Sequence, residues 1–593
     1  VTPSDLARVP WQITGNHWVT LPCIHPADGA VHAVGMLHRG ARGAVEFAGT
    51  ADFLSGTGAP LLRPVLHVDG VAHALATEGV AWERALHWLP TFSAKVGELT
   101  VRGTIFAPSG RDADIAGFVY AFAIENRGSA PATVSLAVEG TLGHRQLRVR
   151  TPVAFDDAQR AHVVEPGVVV LEGSALPGLV ALAITSDAPA ETSVTATTPP
   201  TFALRRAEVI APGARAELAF YVAAGPERDG ACATVAVMRR RGWRDLLTLT
   251  RASLQAAEQS TGDSAIDAIL NRHLFFALFG GVGRALDDAQ YYLVRSRLPW
   301  SSQGITVRDF EALMWTLPAV QLADAPLARE LLLRMCEVHG YAPGRGVNYL
   351  DGTLFEPGFT LEGAAAYAVA VERYIRDTED DRVVEEAAIG DTLYAANDDI
   401  AVRRNKTHPL YTTEVTPSGR PAPLPFTLHG NAMVAAALEV FRRTLDEETA
   451  RGVEDPAAVR AAIRRHFVAD DAAKGSFAAA VDLKGGYAMD DEPESSALWL
   501  PLWEAVERTD SVYRRTAKRI GAPYRHLAQE LGRLLGPDAP AVLEWLRRAP
   551  LDLGYAAALV DEGGTALGGG GDAALSGLLA STLWYSVHVN GLR

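Results

Sequence analysis

Residues 410–440 read LYTTEVTPSGRPAPLPFTLHGNAMVAAALEV. A loop comes first, set with Pro417, Pro421, Pro423 and Pro425. Proline fixes φ, removes a hydrogen-bond donor and biases the residue before it toward extended backbone, so no helix can begin until Pro425 is passed. From Thr427 onward the residues turn small and apolar, and the spacing predicts a helix over 427–445. The loop carries one carboxylate, Glu414. A carboxylate on a stiff loop at a helix mouth can do acid chemistry. Alone, it reads more readily as a solvated glutamate on a surface loop, since single loop carboxylates are common.

The same unit, a long loop feeding an apolar helix, recurs through the C-terminal part of the chain. Helical periodicity is predicted over about 263–280, 309–322, 326–339, 361–376, 381–397, 427–445, 456–468, 494–507, 510–520, 524–535, 538–548 and 573–588. Connections alternate between short ones, such as 323–325, and long ones, such as 398–426 and 469–493. That alternation suits helical hairpins arranged in a ring, with the long loops on one face and the inner helices starting there. Long loops inside a compact domain tend to be functional.

Residues 1 to about 235 read differently. Short alternating or valine-rich runs such as LTVRGTIFAP, IAGFVYAFAIENRG and ARAELAFYVAAG are punctuated by Gly, Pro and Asp/Asn turns. This pattern predicts an antiparallel sandwich large enough for two sheets. Trp11, Trp18, Trp82 and Trp88 fit its core, although they could also stack on sugars. The pattern changes after Arg239, where RRRGWRDLLTLTRASLQAAEQ predicts a helix. The predicted chain is therefore multidomain, β then α. Residues 1–238 form an N-terminal antiparallel β-sandwich, 239–262 a linker helix and 263–593 a C-terminal helical domain.

The 593 residues exceed one ordinary core, and a 48% hydrophobic and 21% charged composition is that of a globular chain. A formal net charge of −15, with no Lys/Arg stripe, argues against nucleic acid as a partner. No apolar run reaches the roughly 18 residues a membrane span needs, so no membrane partner is expected. Cys23, Cys232 and Cys336 lie far apart, which speaks against disulfides and structural zinc. The chain begins VTPSDLARV, so a leader is either removed or trimmed away, and a cytoplasmic location is the expectation.

Several long loops concentrate acids, aromatic residues and arginine. Residues 291–315 contain Trp300 and the pair Arg308-Asp309. Asp309 could cap a helix, or the pair could clamp a vicinal diol, with Asp accepting and Arg donating. Residues 346–367 offer Asp351, Glu356 and Glu362, the last in a first helical turn where negative charge is favoured. Residues 485–503 offer Asp490, Asp491, Glu492 and Glu494, which could bind a cation or solvate a helix start. Residues 553–579 offer Asp561 and Glu562 before a glycine-rich turn that lacks the ending of a phosphate loop. His273, His339, His408 and His429 are scattered and no HExxH occurs, so neither a metal nor another cofactor is expected. GxSxG is also absent. Carboxylates, indoles and arginine around one ring mouth suit glycoside cleavage. A buried acid with raised pKa protonates the leaving oxygen and a second carboxylate activates water, at about 6.5–9.5 Å separation for inversion.

The order of β-sandwich, linker helix and helical ring resembles bacterial glucoamylase-like enzymes and related glycoside hydrolases and phosphorylases, whose helical domain is an (α/α)6 barrel. Arg308-Asp309 resembles the pair with which glucoamylases hold a terminal sugar. MDDEPESSALWLPLW at 489–503 is similar to a segment of metal-independent exo-α-mannosidases of that fold. The resemblance implies a general acid in the loop before the sixth helix, where Glu414 falls. It implies a base in the loop before the last helix. Spaced back from Asp572, that position is Ala558, which cannot accept a proton; Asp561 and Glu562 are the nearest substitutes.

The expectation is an exo-acting, inverting glycoside hydrolase with an oligosaccharide or glycoside as its partner. Glu414 is the expected acid and Glu562 or Asp561 the base. Arg308, Asp309, Trp300, Glu356, Asp490, Asp491 and His429 are the expected substrate contacts. A phosphorylase on the same fold would need no base. A polysaccharide lyase, or a carbohydrate-binding protein without activity, are the remaining alternatives.

Overall fold

The computed structural model describes residues 9–52, 55–73, 75–174, 180–469, 475–520, 525–551 and 555–592. The long strands lie between Gln12 and Gly225; helices with short hairpins follow. The strands form sheets of six, eight and five strands with antiparallel ladders. In the eight-stranded sheet Gly117–Asn126 pairs with Arg215–Gly225, Tyr120 opposite Phe220. Alternation along these strands sorts their side chains to two faces. Phe118, Tyr120, Phe122, Leu218, Phe220 and Val222 share a core with Val34, Phe47, Leu136 and Leu204 of the other two sheets. Val119, Ala121, Ala219 and Ala223 point to the other face and pack with Ala231, Val235 and Met238 of a helix. Small residues on that face let the helix approach the sheet closely.

That helix is Arg228–Arg241, and a second, Trp243–Ala257, follows it. The single helix expected over 239–262 is thus two helices, and the first starts earlier. The break falls at Gly242, whose φ of 86° lies in the left-handed region that favours glycine.

Most later helices match their periodicity, among them Ser264–Gly280, Ala325–His339, Leu361–Thr378, Leu428–Thr444, Pro456–His466 and Ala573–His588. The helix expected over 494–507 is an exception. Only the 3₁₀ turns Pro493–Ser495 and Ala497–Trp499 form there, and turns follow. Pro501 explains this, since its ring clashes with the preceding turn and it has no N–H to donate.

Six inner elements close a ring. The segment from Asp309 to Ala323 packs on Leu361–Thr378, which packs on Leu428–Thr444, then Ala497–Trp499, then Leu527–Arg533, then Ala573–His588, which returns to the first. Outer helices such as Ala325–His339, Pro456–His466 and Ala539–Leu546 pack behind their inner partners. Each inner element is entered from a loop, and the mouths of these elements make one face of the ring.

The strand-rich part braces one of those loops. Arg148 donates to the carbonyls of Arg297 and Leu298, and Ile305 N–H donates to the Val149 carbonyl. Arg297 reaches back, donating to the carbonyls of Asn16, Trp18, Phe279 and Val282.

Candidate active site

The loop so braced carries Arg295, and Arg295 organises the ring mouth. Its guanidinium lies 2.7 Å from Glu311, 2.8 Å from Asp572 and 3.6 Å from Glu494. It also sits 4.7 Å from the Trp315 ring centre, a cation–π contact. Arg308 approaches Glu311 at 3.8 Å. The three acids come from three different inner elements. Glu311 is in the first turn after Arg308, Glu494 is in the turn at Pro493–Ser495, and Asp572 caps Ala573–His588 through Leu575 N–H. The segment Ala312–Thr316 just inside the mouth is a π-helix. Such bulges recur at functional sites.

Three carboxyl groups face two guanidinium groups here, so full ionisation leaves one negative charge too many. Glu494 bears it. Burial pushes its carboxyl up to about 7, helped by Glu311 and Asp572 and opposed by Arg295 and Arg308. The Glu494 side chain keeps 19% of its surface, and its Oε2 has no hydrogen-bond partner among the described residues. A carboxyl with a pKa raised to about 7 suits a general acid, and its unpartnered oxygen is buried and must be uncovered before a substrate can meet it. Arg295 is held firmly charged: burial disfavours the cation, but Asp572, Glu311 and Glu494 together outweigh that cost.

Asp309 lies beside this cluster, yet both its oxygens serve the protein. Tyr367 O–H donates to one at 2.8 Å and Gly344 N–H to the other at 2.7 Å. Burial pushes its carboxyl up to about 7 against those two donors. Arg308 donates to the Pro417 carbonyl. Arg308, Asp309, Glu311, Glu356 and the turn Thr416, Pro417, Gly419 line a cleft of about 50 Å³. That is room for a few waters and not for a sugar ring.

The other expected contacts are spread more widely. Trp300 is buried against Gly571, where a Cβ would come 2.6 Å from the indole nitrogen, so only glycine fits. Glu356 is half exposed and paired with Arg150 from the strand-rich part. Asp490 is exposed at the surface. Asp491 accepts from Ala497 N–H and Gln529, and burial pushes its carboxyl up. His429 is a buried core residue. Trp503 donates to its Nε2, which places the ring proton on Nδ1 facing Glu362 at 3.2 Å.

The expected catalytic residues do not occupy the cluster. Glu414 is 56% exposed and paired with Arg403 at 3.0 Å. Phe359 N–H and Arg403 hold its carboxyl below the usual range. This is the reverse of the buried, raised-pKa environment expected of it. Asp561 and Glu562 sit at the tip of the hairpin formed by Ala557–Val560 and Ala566–Gly570. There Asp561 accepts from Thr565 N–H, and Trp545 of an outer helix donates to the Glu562 carbonyl. Sequence reasoning set aside Glu494 as one of four adjacent acids. It missed Arg295 and Glu311 altogether. The usable signal was position, because all three clustered acids stand at the mouths of inner elements.

Comparison with known proteins adds to this geometry. The sequence model of a family described as metal-independent alpha-mannosidase (GH125) matches residues 391–527. Compared by sequence with curated proteins, the chain matches none. Among solved structures, a bacterial glucoamylase complexed with acarbose is similar, with a TM-score of 0.61 at 10% identity, covering 98% of this chain and 95% of the other. A human-microbiome protein assigned as a kojibiose phosphorylase gives 0.60 at 11% identity, covering 99% and 87%. A Streptococcus pneumoniae metal-independent alpha-mannosidase, in complex with alpha-1,6-mannobiose, gives 0.46 at 12% identity over 57% of this chain and 97% of its own. The chain thus carries an (α/α)6-barrel fold of the kind found in glycoside hydrolases and phosphorylases.

Proposed function

We propose that this chain is an exo-acting glycoside hydrolase that removes a terminal sugar from an oligosaccharide or glycoside, with Glu494 as its general acid. The observation that carries the reading is the burial of Glu494 beside Glu311 and Asp572 at the ring mouth, which pushes its carboxyl up to about 7 and leaves one oxygen without a hydrogen-bond partner among the described residues. In this reading residues 1–238 are a β-sandwich buttress, 239–262 the linker and 263–593 the barrel that holds the site. Arg308 binds the terminal sugar, with Asp309, held by Tyr367 and Gly344, offering it only the lone pairs those donors leave. Glu414, held ionised and open to solvent, suits the base better than the acid. Acid and base working from opposite faces of the sugar would invert the anomer. The narrow cleft must widen for a sugar to enter it.

The test is a panel of chromogenic glycosides, α-mannosides and α-glucosides first. Glu494→Gln is expected to lose activity by about 10²–10⁴-fold on leaving groups that need protonation. The loss should shrink on activated aryl leaving groups, which depart without help. Unchanged turnover in Glu494→Gln would remove the acid assignment.

One observation favours a second reading, a phosphorylase. Ala558 stands at the expected base position, and Asp561 and Glu562 lie at a hairpin tip beside an outer helix. A phosphorylase needs no base, because phosphate itself attacks. Phosphate-dependent release of a sugar phosphate would establish it.

A further inference from the structure

The mouths of the inner helices gather carboxylates; their far ends enclose a cavity of another character. The C-terminal ends of Leu317–Ala323, Leu361–Thr378 and Ala573–His588 line a space of about 490 Å³, walled by Pro318, Leu322, Trp584, Tyr585, Arg373 and Arg376. A second space of about 180 Å³ shares Arg373, Arg376 and Tyr585 with it. Each other arginine of the two spaces has an acid: Arg376 has Asp377, Arg443 has Glu372 and Arg460 has Glu439. Arg373 differs. Among the described residues it has neither a hydrogen bond nor an ion pair nor an aromatic ring beneath it. Burial, then the like charge of Arg376, lowers its pKa to about 10; Asp377 and Tyr585 only partly offset this. Arg373 is part-buried and its guanidinium faces the cavity with no acid paired to it among the described residues, so its donors are available to a ligand.

We propose that this cavity binds an organic carboxylate, its carboxyl forked on Arg373 and its apolar body against Trp584, Tyr585, Leu322 and Pro318. One unpaired guanidinium matches a single negative charge, and planar two-point bonding is its preferred geometry. Asp377 stands close enough to repel a dianion such as phosphate. The walls are mainly aliphatic and aromatic, which suits a ring or short chain rather than a sugar. This site lies at the opposite end of the ring from the carboxylate cluster, so it does not depend on the hydrolase reading.

Phenylacetate and octanoate are the probes, with phenylacetamide, octanol and inorganic phosphate as controls, titrated into the whole chain by calorimetry and thermal melting. Both carboxylates are expected to bind and raise the melting temperature, with the neutral analogues at least about tenfold weaker. Arg373→Met should lose that preference while melting no lower than the parent, because Arg373 has no hydrogen bond or ion pair among the described residues to lose. Leu322→Trp, which fills the cavity and keeps Arg373, should weaken binding as well. Equal binding of carboxylate and amide, phosphate binding more tightly than carboxylate, or no binding by either probe would overturn the proposal. So would parent-like affinity in Leu322→Trp. An Arg373→Met chain that melts lower than the parent would make the arginine structural and overturn it too.

Discussion

Arg295 shows what one side chain can impose on its neighbours. Three acids from distant parts of the chain meet it, and only two guanidinium groups are present to balance them. Burial, helped by Glu311 and Asp572, raises the Glu494 carboxyl from 4.5 to about 7. Asp309 rises from 3.8 to about 7 because of burial. Each group binds its proton more tightly in the native chain than in the unfolded one. As pH rises from about 4 to 7, the unfolded state loses these protons first, so stability falls across that window. Glu494→Gln and Asp309→Asn should flatten this slope. At pH 7 Glu494→Gln should be more stable than the parent by on the order of 1–3 kcal/mol, with no difference below about pH 4. Urea midpoints at pH 4, 5.5 and 7 measure it, and a parent stability rising over this range would contradict the assignment. Glu494 was legible in the sequence only as one of four acids. Arg295 was not legible, since Asp572 is 277 residues away and nothing local marks the pairing.

At the scale of elements, periodicity carried most of the reading. Alternation along Gly117–Asn126 and Arg215–Gly225 puts large rings on one face and alanines on the other. The alanine face receives the Arg228–Arg241 helix. Ala223→Leu should therefore overpack that interface and cost about 1–3 kcal/mol, seen as a lower urea midpoint with an unchanged slope. A neutral result would mean that the helix can move away from the sheet. At two places where periodicity failed, proline or glycine was responsible. Pro501 keeps the fourth inner element short, and Gly242 divides the linker in two. Both residues are visible in the sequence.

Over the whole molecule, the strand-rich part acts on the ring through the loop between Ser264–Gly280 and Asp309. Arg297 is central to that contact. It is buried with no ion pair to an acid among the described residues, and burial followed by the charge of Arg148 lowers its pKa to about 9, with Asp114 only partly offsetting this. Its guanidinium donates to carbonyls from both the strand-rich part and the loop. Arg297→Met should leave those carbonyls unsatisfied, cost about 2–4 kcal/mol and free the loop that aims Arg295. Hydrogen exchange over residues 281–308 would report the loosening, and unchanged protection there would show that Arg148 suffices. The exposed Arg150–Glu356 pair joins the same two parts, yet such pairs contribute little in water.

The sequence by itself determined the periods: alternation for the strands, helical spacing for the rest, and the long loops that mark one face of the ring. These are local properties, set by which residues can bury a face or end a helix. Tertiary structure alone decided the chemistry at the mouth. Protonation of Glu494, ionisation of Glu414 and the pairing of Arg295 depend on burial and on charges brought near by folding. A carboxylate's pKa follows from its surroundings, and those surroundings come from segments hundreds of residues apart.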